Sequence, residues 1–185
     1  CDRILGISRT AGEKRQGLFW KSVSFLHEGR PDDAISVVRE MSAISEEDND
    51  LATISGDFVM RGNILLEFGR FEEAFSMFRQ GIEIIEGAAV PDEVKDTARR
   101  NLAYQEARIL IAKGDVGGAR EKSAEYAKLA ASRGVPFELR QAHELAGRVA
   151  LLEKSYGAAL AELEKAGQQN PQILYLEALA CAGKG

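Results

Sequence analysis

Long apolar runs, prolines, aromatic residues and paired cysteines are all scarce in this chain of 185 residues. Apolar stretches such as Ile109–Ala112 cover one helical turn, against the roughly 20 residues needed to span a bilayer, so the sequence offers no transmembrane helix. Cys1 and Cys181 lie at opposite ends, which gives neither a close-spaced metal pair nor a disulfide framework. Only 4 prolines and an aromatic share of 7%, with Ala, Leu, Glu, Lys and Arg frequent, favour helix and exclude an all-β barrel or a collagenous chain. Positive charge is also short. Lys and Arg number 24 against 29 Asp and Glu, a net −5, so no overall basic field exists to hold nucleic acid or an anionic membrane.

What is present is a core-forming composition, 45% apolar and 29% charged, which argues against disorder. The first residue is Cys1 rather than Met, and two readings stay open. One is a fragment of a longer cytoplasmic chain; the other is a mature bacterial lipoprotein anchored on the periplasmic side through an acylated Cys1.

The chain repeats itself. A helical segment with a small residue in its middle is followed by a turn, an apolar residue two positions on, and an Ala three positions later. The turns read Gly29-Arg-Pro31-Asp-Asp-Ala34, Gly69-Arg-Phe71-Glu-Glu-Ala74, Gly114-Asp-Val116-Gly-Gly-Ala119 and Lys154-Ser-Tyr156-Gly-Ala-Ala159, and a fifth begins at Gly185. Before the second turn, Phe58, Gly62, Leu65 and Leu66 share one helix face; after it, Phe71, Ala74, Phe75, Phe78, Ile82 and Ile85 continue at helical steps. Each unit therefore reads as a helix hairpin. Pro31, Pro91, Pro136 and Pro171 sit at expected helix starts, where a missing N–H costs nothing. Gly87–Val90 and Ser132–Val135 read as longer loops, and Ser45–Asp50 as an acidic one.

These residues resemble the tetratricopeptide repeats, whose pattern runs large, small, Gly turn, aromatic, Ala, large, Ala, Pro. The second unit supplies Phe58, Gly62, Leu65, Gly69, Phe71, Ala74 and Phe78, and the fourth Gly147, Tyr156, Ala159, Leu163, Ala166 and Pro171. The first supplies Leu18, Ser22, Phe25, Gly29, Ala34 and Val38; the third has Ala107, Leu110, Gly114 and Ala119 but Ser123 where a large residue is expected. Turns 40, 45 and 40 residues apart exceed the roughly 34 of the plain repeat and resemble its long-helix variants. The resemblance implies an all-α fold, a right-handed superhelical solenoid of stacked antiparallel helix hairpins. Residues 1–14 read as a lead-in or the remnant of a preceding element. The array then covers 15–185, with units at about 15–50, 51–90, 91–134 and 135–170 and the first helix of a fifth at 171–185.

In such an array the first helix of each unit lines a concave groove that takes a peptide or a partner helix. Counting from the turns, that wall includes Gln16, Phe19 and Val23, then Val59, Asn63 and Glu67, then Asn101, Tyr104 and Arg108, then Gln141, Glu144 and Arg148, and Tyr175. Phe19, Tyr104 and Tyr175 are candidate anchors, with capping of the first helix pair as the other role open to Phe19 beside Trp20. Arg108 and Arg148 occupy equivalent positions and either hold acidic groups of a partner or are locally salt-bridged. The family's carboxylate clamp of Lys and Asn is not reproduced. Charge separates along the chain, −6 over residues 1–89, +2 over 90–154 and −1 over 155–185.

Catalytic and metal readings fail on spacing. His27-Glu28 and His143-Glu144 lack a second His one turn on, as a zinc helix needs. Gly114, Gly117 and Gly118 follow a helix and lack dinucleotide-loop spacing, and Cys181 reads as a small packing residue. The expectation is a protein-protein interaction scaffold without catalysis, metal or cofactor, binding a protein or peptide and no nucleic acid. The second reading is a regulatory or sensor module whose output domain lies outside this chain.

Overall fold

The computed structural model describes residues 6–185. Among these residues, from Ala11 onward, nine helices follow one another: α1 Ala11–His27, α2 Pro31–Glu47, α3 Leu51–Glu67, α4 Phe71–Gly87, α5 Asp92–Lys113, α6 Val116–Arg133, α7 Pro136–Leu152, α8 Tyr156–Leu163 and α9 Pro171–Lys184. No strand occurs among the described residues, and no helix there is long and apolar enough to cross a membrane. Cys1 lies outside the described residues, and with it both readings of the N-terminus.

The helices end where the turn chemistry says they should. Gly29, Gly69 and Gly114 take the left-handed conformation at φ 71°, 73° and 73°, and Lys154 does so at 57°. After each, the next N–H reaches back past the helix end: Arg30 to the carbonyl of Phe25, Arg70 to Leu65, Asp115 to Leu110 and Ser155 to Ala150, at 2.8–3.0 Å. This closure satisfies carbonyls that the helix leaves unpaired. The next helix starts immediately, so each turn reverses the chain tightly. Thr10, Asp50, Asp115 and Asn170 cap α1, α3, α6 and α9 with side-chain oxygens that accept first-turn N–H groups. Pro31, Pro136 and Pro171 are first residues of their helices, whereas Pro91 lies one residue before α5.

Three loop expectations need correction. Ser45–Glu47 are helical, and Ser45 is buried on the core face of α2, so apolar packing carries the helix through the acidic stretch. The chain turns instead at Asn49, left-handed at φ 52°. Ser132 and Arg133 finish α6, leaving Gly134 and Val135 as the connection, and Gly87 is the last residue of α4. Residues 11–14, expected in the lead-in, are the first turn of α1.

The chain divides into two compact units, the first reaching Ala98 and the second running from Arg99 to the end. In the first, α1 packs on α2, α2 on α3 and α3 on α4. In the second, α6 packs on α7, α7 on α8 and α8 on α9, while Ala103, Tyr104 and Ala107 of α5 share a core with Tyr126, Ala130, Ala142 and Leu145.

In the second and fourth hairpins the small residue of the first helix faces the residue sixteen positions later. A Cβ on Gly62 would lie 2.4 Å from the Phe78 ring, and one on Gly147 2.6 Å from Leu163 Cγ. The equivalent positions are Ser22 and Val38 in the first hairpin and Ala107 and Ser123 in the third, all buried. Ala34, Ala74, Ala119 and Ala159 are fully buried in the first turns of α2, α4, α6 and α8, where a larger group would hold the helix pair apart.

Candidate functional site

In the first unit the first-helix residues of two successive hairpins share an open groove of about 420 Å³. Phe19, Val23, Leu26 and His27 of α1 form one wall; Met60, Asn63, Ile64 and Glu67 of α3 with Phe68 form the other. The lining is almost wholly apolar. It contains one carboxylate, Glu67, and no Lys or Arg. Phe19 and Phe68 remain 39% and 42% exposed, and Trp20 stands edge-on to Phe19 with ring centroids 5.2 Å apart. Phe19 thus lines the groove beside Trp20.

The two wall helices are also tied directly to each other. Arg15 of α1 makes a two-pronged ion pair with Asp57 of α3, Nη2 to Oδ1 at 2.8 Å and Nη1 to Oδ2 at 3.0 Å, and Nη1 also donates to the carbonyl of Met41 in α2. Asp57 is nearly buried, so this pair links three helices through groups shielded from water. Its lower dielectric makes it stronger than a surface pair, at a desolvation cost.

Of the residues expected on the wall, Phe19, Val23, Asn63 and Glu67 are brought together here. Gln16 is exposed and Val59 half-buried, and neither lines the groove. Leu26, His27, Met60, Ile64 and Phe68 were not anticipated. Their signal is present, since Met60, Ile64 and Phe68 recur at four-residue steps beside Asn63 and Glu67, and Leu26 and His27 follow Val23 by one turn.

In the second unit the corresponding residues form a polar network on α5 and α7. Arg148 Nε donates to Glu144 Oε1 at 2.9 Å, and the Tyr104 hydroxyl lies 3.5 Å from Glu144 Oε2. Arg108 donates to Gln105 at 2.8 Å and stands 5.7 Å above the Tyr104 ring. Gln141 accepts from the Tyr126 hydroxyl at 2.7 Å. The structure thus brings together Tyr104, Arg108, Gln141, Glu144 and Arg148, and it gives Arg148 an internal carboxylate. Tyr104 is not an exposed anchor: it is 8% accessible and its ring lies tilted against that of Tyr126. Burial, then the neighbouring Glu144 charge, pushes its hydroxyl up to about 12. Asn101 is exposed and accepts from Gln105. Tyr175 of α9 is exposed at 62% and joins neither group.

The two histidines differ. His27 lines the groove, while His143 Nδ1 pairs with Glu162 Oε2 at 2.7 Å across α7 and α8, which holds the Glu162 carboxyl below its ordinary range. Cys181 is exposed, and its neighbour Ala180 is the residue packed inward, which corrects the packing role expected for the cysteine. No group of three potential metal ligands gathers among the described residues.

No family model matches this sequence, and no curated protein matches it. Solved structures do. The apo form of RapI superposes with a TM-score of 0.60 at 14% identity, over 95% of this chain and 50% of that one. A structure of nearly identical TPR-like repeats from Podosopora anserina, described as kinesin light chain, gives 0.55 at 14% identity, over 96% and 81%. The chain spans half the length of the RapI chain it matches. Together with the helix hairpins and their turn register, these similarities define the class: an all-α helical-repeat protein with a TPR-like fold.

Proposed function

We propose that this chain is a protein-interaction module that holds a peptide or helix of a partner against the first helices of its repeats, with no chemistry of its own. The observation that carries this reading is the open apolar groove of the first unit. Leaving Phe19, Phe68 and the edge of Met60 in water forgoes burial that stabilises a free chain, and such a surface is what a partner covers. Within the second unit by itself, Gln141, Glu144, Arg108 and Arg148 offer polar groups that can exchange internal hydrogen bonds for bonds to a partner.

A photo-crosslinking side chain placed at Val23 or Met60 is expected to capture a partner in cells of the native host, and the same group at Glu83 on the exposed side of α4 is expected to capture far less of it. Equal capture from all three positions removes the groove as the binding face.

A further inference from the structure

The kind of partner can be read from two features of the first unit, on the footing that its groove is the binding site proposed above. The first is what the groove lacks. An extended peptide brings unpaired backbone N–H and C=O groups, which lose water on docking and need partners from the wall. Here the polar side chains in the lining are Asn63, His27 and Glu67, set among Phe19, Val23, Leu26, Met60, Ile64 and Phe68. A helix satisfies its own backbone and asks only for apolar contact. Its dimensions also fit. Each wall extends over about 12 Å, from Phe19 to His27 and from Met60 to Phe68, at roughly 1.5 Å per residue. Three side chains at i, i+4 and i+8 on an incoming helix cover the same length.

The second feature is charge. Up to Ala98 the chain carries 19 acidic and 11 basic residues, a net −8, whereas from Arg99 onward it carries 10 acidic and 13 basic, a net +3. Ion pairs hold three of these basic residues and five of the acidic ones, Arg15 with Asp57, Arg30 with Glu28 and Asp33, and Arg70 with Asp32 and Glu73, and leave the acidic excess in place. The groove wall itself contains Glu67 and no Lys or Arg. The net negative charge of the unit and the lone carboxylate of the lining therefore favour a positively charged partner over a negative one.

We propose that the occupant of the groove between α1 and α3 is a basic amphipathic helix, apolar along one stripe and rich in Lys or Arg beside it. The probe is a synthetic Leu/Lys peptide of roughly sixteen residues with Leu at helical spacing, set against a Leu/Glu peptide of the same pattern and a Leu/Lys peptide broken by central prolines. Trp20, the single Trp of the chain, half-exposed beside Phe19, reports binding by its fluorescence. The helical Leu/Lys peptide is expected to bind at least about tenfold more tightly than either control, and more weakly as salt rises. Phe19→Asp removes an apolar wall residue while making the unit more acidic, so it should abolish groove binding yet strengthen mere attraction of a basic peptide.

Equal affinity for the Leu/Glu peptide, or undiminished binding of the proline-broken peptide, overturns the basic-helix assignment and leaves the groove reading standing. Binding that survives Phe19→Asp, with circular dichroism unchanged, overturns both. A dimer in sedimentation that Phe19→Asp dissolves, and that excludes the peptide, gives the groove to a second copy and overturns the assignment.

Discussion

At the scale of single residues, the hairpins depend on matched sizes across positions sixteen apart. Gly62 lies against the face of Phe78, with room for a hydrogen but not a methyl group, since a Cβ would stand 2.4 Å from the ring. The Phe78 side chain is almost fully buried and has nowhere to retreat. Gly62→Leu is therefore expected to destabilise the chain by about 2–3 kcal/mol in urea unfolding. In a Phe78→Ala background the same substitution fills the vacated space. It should then cost less than it does alone, with a coupling of about 1–3 kcal/mol in the double-mutant cycle. Strict additivity of the two changes would show that the residues do not oppose each other.

At the scale of elements, helices are joined across the walls by buried polar groups, and the clearest consequence is a pH dependence at the α5–α7 contact. Tyr104 on α5 is buried and faces Glu144 on α7, and both facts favour the neutral phenol, whose pKa rises from 10.0 to about 12. The sign follows by linkage. Below about pH 10 the phenol is neutral in both folded and unfolded chains, so the full contribution is present. Between about 10 and 12 the unfolded chain loses this proton while the folded chain keeps it, so stability falls as pH rises. Tyr126 is shifted in the same direction by its own burial and by Glu138. Tyr104→Phe should flatten the decline in melting temperature over this alkaline interval, relative to its own value at neutral pH. A slope identical to that of the parent would mean that Tyr104 ionises equally in both states.

At the scale of the whole molecule, the chain is two compact units with cores of their own, and stability in stacked hairpins is carried by nearest neighbours. A local lesion should therefore have a local effect. Asp57→Ala leaves the Arg15 guanidinium between α1 and α3 without its carboxylate and should cost about 3 kcal/mol. Hydrogen exchange is expected to quicken in α1, α2 and α3, while α7, α8 and α9 keep their protection. A uniform loss across all helices would instead show that the chain unfolds as one cooperative body.

Much of this architecture was legible in the sequence because it is set by local chemistry. Gly29, Gly69, Gly114 and the less obvious Lys154 mark reversals that require a left-handed residue, and three of the prolines open helices where they expose no unpaired donor. The repeat positions of Gly62, Phe78, Gly147 and Leu163 were legible too, although that each glycine lies against the large residue sixteen later is shown by the structure. What the sequence could not disclose is which stripe of a helix meets which neighbour. A first helix has more than one apolar stripe, and Gln16 and Val59 fall outside the groove while Leu26, Met60 and Ile64 fall within it, through a rotation of less than a turn. Tyr104 goes into the core although its repeat position suggested an exposed anchor, and Arg148 finds Glu144 one turn back along its own helix. Sequence by itself determined the helix hairpins and their tight Gly or Lys154 turns, because backbone closure acts over a few residues, while several helix ends, as at Glu47 and Arg133, were set by packing. Only the tertiary structure decided the groove, the Arg15–Asp57 link and the polar network, because each depends on how separate helices are rotated against one another.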